Sequence, residues 1–106
     1  MGGKLILKFN KGIEMQFTHI NGRDKGKVVL FALSTCGWCK KTKTFLDELG
    51  VAYDFVFVDL LSGADRDEAI KLIEKVNPQR SFPTMIVNDS RVIVGFNEAT
   101  IREVLR

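Results

Sequence analysis

Polar and apolar positions divide the chain into segments of distinct period. Ile13, Met15 and Phe17 alternate with Glu14, Gln16 and Thr18, the period of two that a half-buried strand requires. Lys4 to Phe9 is also strand-like, and Asn10-Lys11-Gly12 between the two reads as a hairpin loop with Gly12 taking the positive φ. Asn21 to Lys27 mixes glycine with charge and predicts a connecting loop. Val28 to Leu33 is an unbroken apolar run, the mark of a central strand buried on both faces. Past a break at Thr35 to Trp38, the residues Cys39, Thr42, Phe45, Leu46 and Leu49 share one face of a helix, with lysines opposite and Gly50 as C-cap. Tyr53 to Leu60 predicts a further strand, so strand, helix and strand form a right-handed parallel unit.

Asp65 with Glu68 three later resembles a capping box, with Asp replacing the usual Ser or Thr. Ala69, Ile70, Ile73 and Val76 then make the apolar face of a second helix, stopped by Asn77-Pro78. Two short strands, Thr84 to Val87 and Arg91 to Val94, flank the turn composition Asn88-Asp89-Ser90. Gly95 precedes a last helix with Asn97 as N-cap and Phe96 placed to staple onto Ile101. The order β-α-β-α-β-β-α predicts an α/β, thioredoxin-like fold: a mixed four-stranded sheet flanked by three helices. Residues 1–26 are expected as a hairpin-and-loop appendage to a core over residues 27–106, all within a single domain.

Composition narrows the classes. A chain of 106 residues supports one hydrophobic core, and 45% hydrophobic with 27% charged content is that of a folded globular chain. No apolar run approaches the roughly 18 residues of a membrane helix. The start Met1-Gly2-Gly3-Lys4 lacks the apolar core of a signal peptide, so a cytoplasmic address and no membrane partner are expected. The formal charge of +3 is spread among mixed acids and bases, which argues against a nucleic-acid footprint. Lys40, Lys41 and Lys43 form one local cluster, read either as a solvated helix face or as a field for an anion.

The candidate chemistry lies in Cys36-Gly37-Trp38-Cys39, which holds both cysteines of the chain. A secreted disulfide scaffold uses more cysteines at longer spacing. Cys36 falls where a buried strand gives way to a helix, and free N–H groups and the helix dipole favour a thiolate at such a place. Cys39, about one turn on, faces inward and is near enough to resolve a mixed disulfide at Cys36. Gly37 leaves the attacking sulfur unobstructed and Trp38 flanks it. A structural zinc site is the competing reading, but zinc takes four ligands, and His19 is the one histidine, read as an exposed strand residue. No metal ligands are therefore assigned.

From Lys27 onward the chain resembles the glutaredoxins, and in particular glutaredoxin-like proteins of archaea, including those of methanogens. The resemblance is carried by Val28-Val29-Leu30-Phe31 running into the Cys motif, by Gln79-Arg80-Ser81-Phe82-Pro83-Thr84, and by Gly95-Phe96-Asn97-Glu98. It implies that Pro83 is cis beside the sulfurs and that the backbone of Phe82 pairs with the substrate main chain. It also implies that Gly95, Phe96 and Asn97 close the thiol-binding groove, where helix N–H groups receive a carboxylate. Leu33 stands where many glutaredoxins carry a lysine, and Gly37 where most carry proline. Lys40, Lys41 and Arg80 are the cations left to supply a positive field.

The expected activity is thiol–disulfide oxidoreduction, electron transfer that maintains cell redox balance. Cys36 attacks a client protein's disulfide, Cys39 resolves it, and a low-molecular-weight thiol or a flavoprotein reductase restores the dithiol. The thiol is glutathione or a smaller anionic one such as coenzyme M, and no bound cofactor is required. A monomer is expected. The alternative is a [2Fe–2S] carrier, which the resemblance implies for glutaredoxins with a small residue at the Gly37 position.

Overall fold

The structure is a computed structural model that describes residues 2–9 and 13–106, with side chains described from Met15 onward, so the expected Asn10-Lys11-Gly12 turn lies outside the described residues. Six strands form among the described residues, β1 (Gly2–Phe9), β2 (Ile13–Ile20), β3 (Val28–Ala32), β4 (Tyr53–Phe57), β5 (Thr84–Val87) and β6 (Arg91–Val94). Three helices join them, α1 (Gly37–Leu49), α2 (Gly63–Val76) and α3 (Glu98–Leu105). Among the described residues no helix is long and apolar enough to cross a membrane.

The strands make one sheet in the order β1-β2-β4-β3-β5-β6. β3 and β4 are parallel, as a strand–helix–strand unit dictates, and the remaining neighbours are antiparallel. The thioredoxin-like core is therefore present, but the strand count differs from four. The opening hairpin forms as expected and extends the core sheet at its edge: β2 pairs with β4 from Thr18↔Phe55 to Ile20↔Tyr53. The cause lies in the alternation already noted. Met15 and Phe17 are fully buried, and Phe17 meets Phe31 edge-on at 5.8 Å, so the apolar face of β2 has a core of its own to cover.

β3 shows why an unbroken apolar run marks the sheet centre. Val28, Leu30 and Ala32 face a core shared with α1, α3, β5 and β6, while Val29 and Phe31 face one shared with β2 and α2. On α1, Cys39, Thr42, Phe45 and Leu46 are buried as the period predicts, and Gly50 ends the helix in the left-handed region at φ 71°. Its lysines are not all solvated: Lys43 lies over the Phe55 ring at 4.1 Å and donates to Tyr53 Oη at 3.1 Å. Burial and the bond it donates to Asp47 push the Tyr53 hydroxyl's pKa upward.

Two boundaries differ from expectation. The strand expected to reach Leu60 stops at Phe57, and Val58–Leu60 closes a 3-10 turn with Leu61 N–H bonded to Val58 O. The Asp65–Glu68 capping box does not form. α2 begins three residues earlier than that box requires, with Ser62 as N-cap making no side-chain cap bond; Asp65 sits in the first turn, where it complements the dipole, and Glu68 is buried.

Candidate active site

The parallel pair β3 and β4 ends on one side of the sheet, and the chain turns there from Ala32 into α1. Cys36 is the N-cap of that helix, with extended backbone (φ −91°, ψ 121°) and its Sγ accepting the Cys39 N–H at 3.1 Å. A sulfur thus stands where Ser or Asp normally caps, facing the unpaired donors of the first turn. Cys36 is partly exposed. Cys39 is 1% exposed, and its Sγ takes the Leu33 N–H at 3.5 Å. Burial, then the contact with Cys36, push the Cys39 thiol up to about 12. The two sulfurs therefore have unlike surroundings within one turn of helix.

β5 pairs antiparallel with β3, Thr84 opposite Phe31, so the segment before β5 runs alongside the residues that follow β3. Phe82–Pro83 is cis, as the resemblance implies, and Pro83 is buried. The Pro83 carbonyl accepts the Gly95 N–H at 2.8 Å, which joins the proline loop to the Gly95-Phe96-Asn97 segment. Asn77, read in the sequence only as a helix stop, anchors the loop from beneath. Its buried Nδ2 lies 3.1 Å from Ser81 O, 3.0 Å from Ser81 Oγ and 3.1 Å from Thr84 Oγ1, and Thr84 Oγ1 donates to Ser81 O at 2.8 Å.

The residues expected to bind substrate divide into two surfaces. Trp38 is 59% exposed, stacks on Phe96 at 6.2 Å and lies under Lys41 Nζ at 4.8 Å. Lys40 and Lys41 border a groove with Phe45, Phe96 and Arg102. Asn97 caps α3, its Oδ1 accepting the Thr100 N–H at 3.2 Å. On the other side a cleft of about 320 Å³ has a floor of Leu33, Val58, Ile70, Ile73 and Phe82, with Arg66, Arg80 and Asp59 at its rim. Arg80, held at φ 52°, does not converge with Lys40 and Lys41, so the positive field is split rather than shared. Arg66 escaped the sequence reading because its spacing on α2 marks only an outward position.

Ser34 and Asp59 were missed as well. Ser34 N–H donates to Asp59 Oδ1 at 2.9 Å and Ser34 Oγ to Oδ2 at 2.5 Å, and these bonds hold the Asp59 carboxyl below the usual carboxylate range. His19, expected to be an exposed strand residue, is half-buried with Nδ1 2.6 Å from Asp54 Oδ1 on the neighbouring strand.

A thioredoxin-like sheet that presents a Cys-x-x-Cys pair at a helix start, beside a cis-proline loop, defines a thiol–disulfide oxidoreductase. Residues 28–92 match the glutaredoxin family model. The chain belongs to the glutaredoxin family. Its relatives include methanoredoxin of Methanosarcina acetivorans, at 55% identity and TM-score 0.77 over 79% of this chain and 88% of that one. The glutaredoxin of Methanosarcina mazei Go1 matches at 47% identity and TM-score 0.80, over 93% and 96% of the two chains. A glutaredoxin-like 8.6 kDa protein of Clostridium pasteurianum is 32% identical over 74% of this chain and 96% of its own length.

Proposed function

We propose that Cys36 is the attacking thiol and Cys39 the resolving thiol of a dithiol oxidoreductase recharged by a small anionic thiol. The observation that carries this is the unequal burial of two sulfurs one helical turn apart. The Cys36 thiolate attacks a disulfide R–S–S–R′, forms Cys36–S–S–R and expels R′S⁻. Cys39 then loses its proton to solvent and attacks the Cys36 sulfur. The Cys36–Cys39 disulfide forms, RS⁻ leaves, and two electrons have passed to the client. Two molecules of external thiol reverse the change and leave as their own disulfide.

Trp38 and Phe96, with Lys40 beside them, make the face against which a client segment rests. The backbone of Phe82, held by Pro83, pairs with the same segment, and Gly95 and Asn97 border it. Arg80, joined by Arg66, receives the anionic end of the recharging thiol. Leu33 on the cleft floor offers no cation to a second carboxylate, which suits a compact anion such as coenzyme M better than an extended tripeptide.

Steady-state reduction of a mixed disulfide with coenzyme M, glutathione and a flavoprotein reductase, run side by side, tests the assignment. Coenzyme M is expected to equal or exceed glutathione by several-fold, since an exposed charged contact contributes on the order of 1 kcal/mol. The advantage should shrink with added salt, and Leu33→Lys should move the preference toward glutathione. Salt-independent glutathione selectivity would contradict this. A freshly purified protein whose brown colour depends on Cys36 would replace the reading with the [2Fe–2S] carrier.

A further inference from the structure

We propose that Asp59, outside the Cys-Gly-Trp-Cys segment, is a positioning residue for disulfide exchange, holding the turn that presents Cys36 through a two-point grip on Ser34. The inference rests on the reading of Cys36 as the attacking thiol and adds the element that fixes its direction.

β3 and β4 run parallel, with Ala32 paired to Phe57, so their ends emerge side by side. Ser34 lies two residues beyond β3 and two before Cys36; Asp59 lies two residues beyond β4. Across that gap each carboxylate oxygen takes a separate bond, Oδ1 from Ser34 N–H and Oδ2 from Ser34 Oγ. Bonds to an ionised acceptor are the stronger kind, and two from one residue fix its orientation as well as its place. The direction of the Asp59 titration, held down first by the Ser34 hydroxyl, keeps the acceptor ionised at neutral pH.

The turn's own bonding is weaker. Cys36 N–H reaches Leu33 O at 3.3 Å, beyond the usual N–H···O range. The segment between the strand and the helix is therefore tied to the sheet from the side, by Asp59. Disulfide exchange needs the sulfur to approach along the S–S axis, and a misplacement of about 1 Å can cost on the order of 10²-fold. Asp59 is exposed and adds nothing to the apolar core, so its effect on rate is separable from its effect on folding.

Single-turnover exchange of the reduced full chain with the 2-mercaptoethanesulfonate–thionitrobenzoate mixed disulfide tests this, reading release of the first thiol alongside the thermal unfolding midpoint. Asp59→Asn keeps an oxygen for the Ser34 N–H and should stay within about twofold of the unmodified protein. Asp59→Ala should lose about tenfold at saturating disulfide. Ser34→Ala should lose about threefold, and the double variant should be no slower than Asp59→Ala, because both changes break one grip. An Asp59→Ala rate within twofold of the unmodified protein, an Asn variant as slow as Ala, or losses that multiply in the double variant would overturn the proposal. Should Asp59→Ala fail to fold, a slowed Ser34→Ala beside an intact Asp59→Asn supports the grip, and an unslowed Ser34→Ala overturns it. An unmodified protein that releases no first thiol would instead overturn the reading of Cys36.

Discussion

Cys36 and Cys39 are chemically identical side chains made unlike by position. Cys36 caps a helix with its sulfur near the surface, whereas Cys39 is enclosed by the core that α1 shares with β3. The enclosed thiol titrates near 12 instead of its ordinary value of 9.0. The unfolded chain gives up this proton near 9.0, and the folded chain keeps it to a higher pH. The stabilisation is therefore complete below about 9 and lost as pH rises toward about 12. The reduced protein should lose more unfolding free energy across that interval than the Cys39→Ser variant. Denaturant titrations at a series of pH values check this, and parallel curves for the two proteins would count against it. Polar side chains govern the same site at this scale: Asn77 fixes the proline loop with one amide nitrogen, and Ser34 meets Asp59.

The elements show which parts of the fold a sequence discloses. β3 was legible because burial on both faces leaves no polar position in it, and α1 because its inward face repeats with the helical period. The β5–β6 pair was legible from its turn, where Asn88 and Asp89 adopt φ 53° and 61°. Pairing partners were not, since alternation says that β2 has a buried face but not which strand it joins. The same holds for the site. The Cys motif and the proline loop are local signals, whereas Ser34 with Asp59 and His19 with Asp54 are contacts between distant segments. Asn77 was hidden differently: the proline after it accounted for the helix end and left its side chain without a task. The place of β2 in the core makes a prediction. Phe17→Ala should destabilise the protein by about 3 kcal/mol, the scale of a large-to-small change in a packed core. Chemical denaturation measures it; a loss under about 0.5 kcal/mol, typical of a surface site, would show that β2 adds little to the core.

At the scale of the molecule, the sheet places every proposed participant at the end where β3 and β4 finish, and α1 begins there. The cations flank that end on two sides, Arg66 and Arg80 over the apolar cleft and Lys40 and Lys41 beside the Trp38–Phe96 stack. On the proposed function, a small thiol and a client segment have separate approaches to one sulfur. The net charge of +3 favours anions in general, but the two groupings give that preference a location. All of it depends on the division of labour between the cysteines, and one measurement addresses that directly. The Cys36→Ser and Cys39→Ser proteins are exposed to the oxidised small thiol, and intact mass and peptide mapping locate any adduct. The account predicts a stable mixed disulfide at Cys36 in Cys39→Ser and no adduct on Cys36→Ser; a stable adduct on Cys39 in the latter would contradict it.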